Sequence, residues 1–379
     1  MRNYDHVVVG SGLTGGVIAR LLSDAGRRVL LVERRRQIGG NVADAVHPSG
    51  IRYNTHGPHY FRTSSRRIWE FVSRFAEFYP YEARLRALVD GREEQWPVSG
   101  EYIRRTTGGG WKPEEHTREP AANFEAAVLR KMPAHAYTHF VRDYTEKQWG
   151  RPASSLSASL AARIQVRHDD DPRLTPRHIY QGLPREGYSA LVTRLTAGID
   201  IELGTAYEDV GGLIRARGTT VFTGAIDEYF GFALGRLEYR AQQRETVYEP
   251  GHDRVQSVAQ MNLPQHASGP AIRSVEWTHL LEPAARARVR GTLVTREVPR
   301  AARQTDDAEY PVPDATNAAL YERYRALAAG LPDVVFCGRL GEYRYLDMDQ
   351  AIGRAMLMAR RLLATGLARP RCTAATCVR

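Results

Sequence analysis

The chain has 379 residues, of which 42% are hydrophobic, 25% charged and 9% aromatic, a balance that fits an ordinary globular protein of two to three domains and excludes a disordered or fibrous chain. Its formal net charge of +10 is carried by arginines spread along the chain, with only Lys112, Lys131 and Lys147 as lysines. No basic helix, RNP pattern or zinc finger accompanies that charge, so it suits an anionic small substrate rather than nucleic acid.

The first forty residues form a two-part phosphate cradle. A strand, YDHVVVG, runs into Gly10-Ser-Gly12-Leu-Thr-Gly15 and a helix; a second strand, RVLLVE, closes on Glu33, and Gly39-Gly40 follow. A glycine loop between strand and helix lets backbone N–H groups approach a pyrophosphate at the helix's positive end, while a carboxylate ending the next strand meets ribose hydroxyls. The second glycine pair after the acid is typical of flavin rather than nicotinamide enzymes. FAD is therefore the expected cofactor, held by Gly10, Gly12, Gly15, Glu33, Gly39 and Gly40.

This FAD-binding unit is expected over 1–78, followed by a helical insertion over 79–144; RIWEFVSRFAEF, which leads into it at 67–78, and FEAAVLRKMPAHAYTHFVRDY at 124–144 carry apolar residues at helical spacing. From 145 to 310 short alternating segments, IDIELGT, TTVFTG and RGTLVTREV, predict an antiparallel-sheet substrate domain partly interleaved with the first. The chain then returns to strand and helix over 311–365, with DVVFCGRL and the amphipathic DMDQAIGRAMLMARRLLATG, completing the FAD domain before a tail over 366–379 that is expected to be mobile. The fold class is thus α/β: a Rossmann-like FAD-binding domain with a helical insertion and an antiparallel-sheet substrate domain. Cys337 reads as a small buried hydrophobe, and Cys372 and Cys377 as incidental thiols of the tail. No metal-ligand spacing is present, no run of about 18 apolar residues predicts a membrane span, and the N-terminus enters a strand without a signal-peptide pattern, so a cytoplasmic enzyme is expected.

Several clusters carry more chemistry than a purely structural segment needs. Tyr144-Thr-Glu-Lys-Gln-Trp149-Gly150 sets two aromatics beside a cation, suited to stacking on a base or sugar near a phosphate. Further on come Arg163-Ile-Gln-Val-Arg167, Tyr180-Gln-Gly-Leu-Pro, Leu237 to Arg240 (LEYR), Arg273, Glu309-Tyr310-Pro-Val312, and Gly338-Arg339-Leu-Gly-Glu-Tyr-Arg-Tyr345-Leu-Asp347-Met348. In identity and order, these clusters and the cradle resemble the UDP-galactopyranose mutase family over nearly the whole chain, from Asp5 to about Leu363, most weakly between Gly91 and Ala136.

The resemblance implies a redox-neutral flavoenzyme that interconverts pyranose and furanose forms of a nucleotide sugar and works only with reduced FAD, whose N5 attacks the anomeric carbon. It implies that Tyr144 stacks on the base and Trp149 lies beside the sugar. Arg167 and Arg273 would bind the diphosphate, with Tyr180, Tyr310 and Tyr345 donating to it. Gly57-Pro58-His59, Arg339, Asp347 and Met348 would lie on the flavin side, with His59 among the catalytic residues. Arginine forks aimed at a departing diphosphate stabilise the transition state more than the ground state, and a cofactor that does the covalent chemistry explains why no nucleophile set is found in the chain. The segment from Gly269 to His279 keeps Arg273 and Glu276 but lacks the family's usual Tyr-Thr before the arginine; His56 and Arg62 also depart from the pattern. UDP-galactose is the leading substrate; another nucleotide-linked hexose, deoxy or N-acetyl, and an amine-oxidase-like FAD oxidoreductase are the alternatives. A homodimer is compatible with the sequence.

Overall fold

Strand His6–Val9 is buried along its whole length, as is Val29–Glu33 beside it. Strands with both faces covered belong in a parallel sheet with packing above and below. In the computed structural model, which describes residues 2–113, 119–167, 169–210, 212, 214–303 and 307–365, these two strands are the centre of a five-stranded, all-parallel sheet. The spatial order is Asp200–Leu203, Val29–Glu33, His6–Val9, Thr220–Phe222 and Val334–Phe336. The chain order reverses between His6–Val9 and Thr220–Phe222, which is where doubly wound sheets open a ligand crevice. On one face Val8, Leu31 and Val221 pack against the helices Leu13–Asp24 and Met348–Thr365; on the other Val7, Val9, Leu30 and Val32 meet Phe222 and Tyr4. This alternation is the period-two consequence of strand geometry.

A second sheet has seven strands, in the order Tyr310–Pro311, Tyr239–Glu249, Thr292–Ala301, Arg273–Glu276, Gln260–Asn262, Leu85–Val89 and Arg92–Trp96. All neighbours are antiparallel except Gln260–Asn262 with Leu85–Val89. Helices Gly100–Thr107, Phe124–Leu129 and Asp143–Trp149, with a π-helical stretch Tyr137–Arg142, share a core with this sheet, in which Phe124, Val128, Met132 and Phe140 are fully buried beside Ala87 and Val89. No helix among the described residues is long and apolar enough to cross a membrane.

Two expectations are corrected. Within the stretch expected to be a helical insertion, Leu85–Val89 and Arg92–Trp96 form a hairpin joined at Asp90-Gly91, both with positive φ. The Asp-Gly pair is the local signal for such a turn. IDIELGT and TTVFTG are strands, but of the parallel sheet rather than the antiparallel one. Strands of three or four residues do not reveal their partners, and the chain here returns to the nucleotide-binding sheet between visits to the other. The C-terminal tail, with Cys372 and Cys377, lies outside the described residues. Cys337 is buried, and burial pushes its thiol up to about 12.

Candidate active site

The glycine cradle is built by close approach. A Cβ on Gly15 would lie 1.9 Å from the Gly10 carbonyl oxygen, and one on Gly10, where φ is +98°, would lie 2.1 Å from Thr223 Oγ1. Gly39 and Gly40 fold back on the same turn: Gly39 N donates to Ser11 O at 3.2 Å, and a Gly40 Cβ would stand 3.0 Å from Gly12 Cα. Gly12 itself, at the start of helix Leu13–Asp24, has no atom within 4 Å of where its Cβ would be. The helix N-terminus therefore faces open space, the arrangement a pyrophosphate requires. Glu33 ends its strand buried, accepting from Ser11 N at 2.8 Å, Ser11 Oγ at 2.6 Å and Arg35 N at 2.9 Å. A carboxylate with about four lone-pair sites keeps capacity for a ribose hydroxyl after those three bonds.

A cavity of about 1380 Å³ lies between the two sheets and the helical layer. Its walls bring together, from segments far apart in sequence, His59, Tyr144, Trp149, Arg273, Tyr310, Tyr345, Arg339, Asp347 and Met348, all expected site residues. Tyr310 and Tyr345 are parallel, with centroids 6.0 Å apart at 6°, and the Arg163 guanidinium sits 3.4 Å over the Tyr345 ring. Arg339 lies 4.8 Å from the same ring on a scaffold of carbonyls, donating to Leu346 O at 2.7 Å and Glu309 O at 3.2 Å. Tyr345 OH donates to Asp347 Oδ1 at 3.1 Å, just before the N-terminus of helix Met348–Thr365.

The other wall is the helix Asp143–Trp149. It carries Tyr144, packed 5.7 Å from Trp96, and Trp149, buried at its end, and it stops at Gly150 in the left-handed conformation, φ +68°. The loop from His56 to His59 lies against the charged network formed by Arg273, Glu297, Arg244 and Glu309; a Cβ on Gly57, φ +92°, would be 3.0 Å from Glu297 Oε1. Burial, reinforced by neighbouring arginines, lowers both His56 and His59 to about 3, so both imidazoles are neutral at physiological pH. His59 is held by Asn54 Oδ1 and by the Tyr188 hydroxyl on its backbone, while its Nδ1 is buried without a hydrogen-bond partner.

Two expected residues stand elsewhere. Arg167 does not line the cavity: its Nη2 donates to Arg173 O at 2.6 Å, and its buried Nε makes no hydrogen bond, with Asp169 Oδ1 4.0 Å away. Tyr180 starts a strand paired with Phe61–Thr63 and stacks on Trp69 at 5.5 Å and 14°, also outside the cavity wall. Sequence reasoning also missed residues that the cavity does contain. Gln148, Gln260, Asn262 and Tyr60 line it, with Gln260 Nε2 donating to Asn262 Oδ1 at 2.8 Å and Tyr60 OH to Gln260 Oε1 at 3.3 Å. Gln260 and Asn262 gave a weak signal, because a polar residue on a short strand reads as its solvent face.

This geometry meets the comparisons with known proteins. The profile of the UDP-galactopyranose mutase family matches residues 139–345, more than half of the chain, and that of the NAD(P)-binding Rossmann-like domain matches residues 8–75. The chain belongs to the UDP-galactopyranose mutase family. It is 30% identical to a protein of Klebsiella pneumoniae named probable UDP-galactopyranose mutase, over 377 residues and 96% of each chain. It is equally 30% identical to the dTDP-fucopyranose mutase of Escherichia coli, over 92% of this chain and 96% of that one. A crystal structure of reduced UDP-galactopyranose mutase shares the fold, with a TM-score of 0.75 at 13% identity over 97% of this chain and 95% of that one. As a family member the chain is an enzyme, a mutase with a Rossmann-like dinucleotide-binding domain. The amine-oxidase-like oxidoreductase is thereby set aside.

Proposed function

We propose that this protein is an FAD-dependent mutase that interconverts the pyranose and furanose forms of a nucleoside-diphosphate hexose, with UDP-galactose as the leading substrate. The observation that carries the reading is the convergence, in one cavity, of a partly buried arginine fork, Arg273, with the stacked Tyr310 and Tyr345 and the aromatics Tyr144 and Trp149. A cation beside phenol donors suits a diphosphate, and flat aromatics suit a base and a sugar.

FAD fits the residues present. The open space above Gly12 accommodates its pyrophosphate, Glu33 its ribose, and the unpartnered His59 Nδ1 is a buried polar atom awaiting a partner. Gly10, Gly12, Gly15, Gly39 and Gly40 would hold the dinucleotide, with His59, Arg339, Asp347 and Met348 along the flavin ring. Bound and reduced, FAD supplies the electron pair that displaces the diphosphate from the anomeric carbon.

The chain's own part is positioning and electrostatics. Arg273, fixed by Glu297, points its remaining N–H donors at the leaving diphosphate, whose charge grows as the bond breaks; Tyr310 adds a donor, and Tyr345 adds another when its hydroxyl exchanges Asp347 for a phosphate oxygen. Tyr144 covers the base and Trp149 the sugar. Arg167 joins this set when substrate is bound: it sits between cavity-lining Gln165 and Leu174, so a small shift of that segment exchanges the Arg173 carbonyl for a phosphate oxygen. A second reading, a mutase for another nucleotide sugar, is favoured by the equal identity to the dTDP-fucopyranose mutase.

Both readings are tested by incubating dithionite-reduced enzyme with UDP- and dTDP-linked hexoses and separating pyranose from furanose products. Turnover should require reduction and consume no reductant. Equal turnover by oxidised enzyme, or none with any nucleotide sugar, would overturn the proposal.

A further inference from the structure

Lys147 lies in the cavity-wall helix but turns away from the cavity. Its Nζ donates to four backbone carbonyls of one loop: Leu263 O at 2.6 Å, Ala271 O at 2.9 Å, Gln265 O at 3.0 Å and Gly269 O at 3.1 Å. Four carbonyl dipoles converging on one point repel one another unless a cation stands there, and an ammonium has three donors to share among them. Burial lowers the Lys147 pKa to about 8, which leaves the ammonium charged at neutral pH.

The loop has a functional address. Its two stems are Asn262 and Arg273, directly opposite each other in the antiparallel register, and both line the cavity. Leu263 N donates to Ile272 O at 2.7 Å, closing its base. The same helix grips the loop a second time through Asp143 Oδ2, which accepts from His266 N at 3.1 Å. Arg240 holds the helix from behind, with Nε on Gln148 O at 2.7 Å and Nη2 on Lys147 O at 3.3 Å. One charged pin therefore joins the element bearing Tyr144, Gln148 and Trp149 to the hairpin bearing Asn262 and Arg273.

We propose that Lys147 is a positioning residue of the substrate site, a built-in monovalent cation whose ring of four carbonyls sets the distance between the aromatic helix and the Asn262–Arg273 hairpin. The inference rests on the mutase reading for what it positions, but the ring itself does not. A ligand spanning the cavity must touch both elements, and a small displacement between them costs affinity and rate together. If the ring is a cation site, removing the side chain leaves a cradle that ammonium or potassium ions can occupy.

The test uses the full chain with FAD, comparing Lys147→Ala with wild type in tetramethylammonium, potassium and ammonium chloride at one ionic strength. Two quantities are read: affinity for UDP, or for dTDP where wild type binds that nucleotide instead, and amide hydrogen exchange across 262–273. In tetramethylammonium the variant should bind UDP about tenfold more weakly and exchange about tenfold faster over 262–273, with an unchanged flavin spectrum. Ammonium should restore most of both losses and leave wild type unaffected. UDP affinity and exchange within twofold of wild type would overturn the proposal, as would ammonium acting no better than tetramethylammonium. Should Lys147→Ala not fold, Lys147→Met, which keeps the stem, carries the same two readings, and wild-type values there would overturn it. If wild type binds neither UDP nor dTDP, the mutase reading fails, while the exchange measurement still judges the pin.

Discussion

Arg273 and Glu297 face each other across neighbouring strands, with Arg273 Nε 2.5 Å from Glu297 Oε2. Arg244 Nε reaches the other oxygen of the same carboxylate at 3.0 Å, and its two remaining nitrogens clasp Glu309 at 2.8 and 2.7 Å. Glu297 is fully buried, which opposes its charge, yet Arg273 and Arg244 outweigh burial and hold it below the usual carboxylate range. The fork at the cavity is thus set from behind. Glu297→Gln should leave two largely buried guanidinium groups short of one charge, costing about 3 kcal/mol in urea unfolding. It should also weaken UDP binding on the order of tenfold, as an unclasped fork loses its orientation. Wild-type stability with wild-type affinity would show that Arg273 needs no such partner.

Arg273→Ala should lower turnover on the order of a hundredfold, about 3 kcal/mol of transition-state stabilisation, with the flavin spectrum intact. Lysine should rescue poorly, because a point charge does not replace the planar fork. For Arg167→Ala the expected outcome is a similar loss of turnover with little change in stability. A variant that unfolds more easily but turns over normally would leave Arg167 at the Arg173 carbonyl as an anchor only.

Acid should destabilise the loop from His56 to His59. An unfolded histidine titrates near 6.5, whereas burial and then the nearby arginines lower these two to about 3 in the folded chain. Between those values the unfolded state binds more protons. The stabilisation is therefore complete above about pH 6.5 and is lost as pH falls towards 3, at up to about 1.4 kcal/mol per pH unit for each histidine. Urea unfolding of the wild type and of a His56→Gln, His59→Gln double variant over this window should show a shallower slope in the variant. Parallel slopes would contradict the buried neutral state.

Gly12→Val is expected to fold, since its side chain enters empty space, but to emerge without bound flavin because that space is where the pyrophosphate goes. Gly15→Val should fail to fold, because its Cβ alone would lie 1.9 Å from the Gly10 carbonyl. Absorbance and heat-released cofactor, read beside thermal unfolding, separate the two. A yellow Gly12→Val protein would place the phosphates elsewhere.

The sequence by itself determined the dinucleotide cradle, because Gly10, Gly12, Gly15 and Glu33 act within one strand–turn–helix–strand unit whose geometry is local. It determined the helix Met348–Thr365 for the same reason: apolar spacing within one element fixes the face it buries. It also marked Tyr144, Arg273, Tyr310 and Tyr345 as special through the family resemblance, without showing that they meet. Only the tertiary structure decided that meeting, because Tyr144 and Tyr345 are 201 positions apart and join through the packing of two sheets on a helical layer. It alone decided that Asp200–Leu203 and Thr220–Phe222 complete the parallel sheet, that Tyr180 stacks on Trp69, and that Arg167 holds the Arg173 carbonyl. The partners of Arg273 and Lys147 were equally hidden. A side chain's pairing across strands or onto a loop's carbonyls depends on register and closure, and neither is written in the spacing of any one segment.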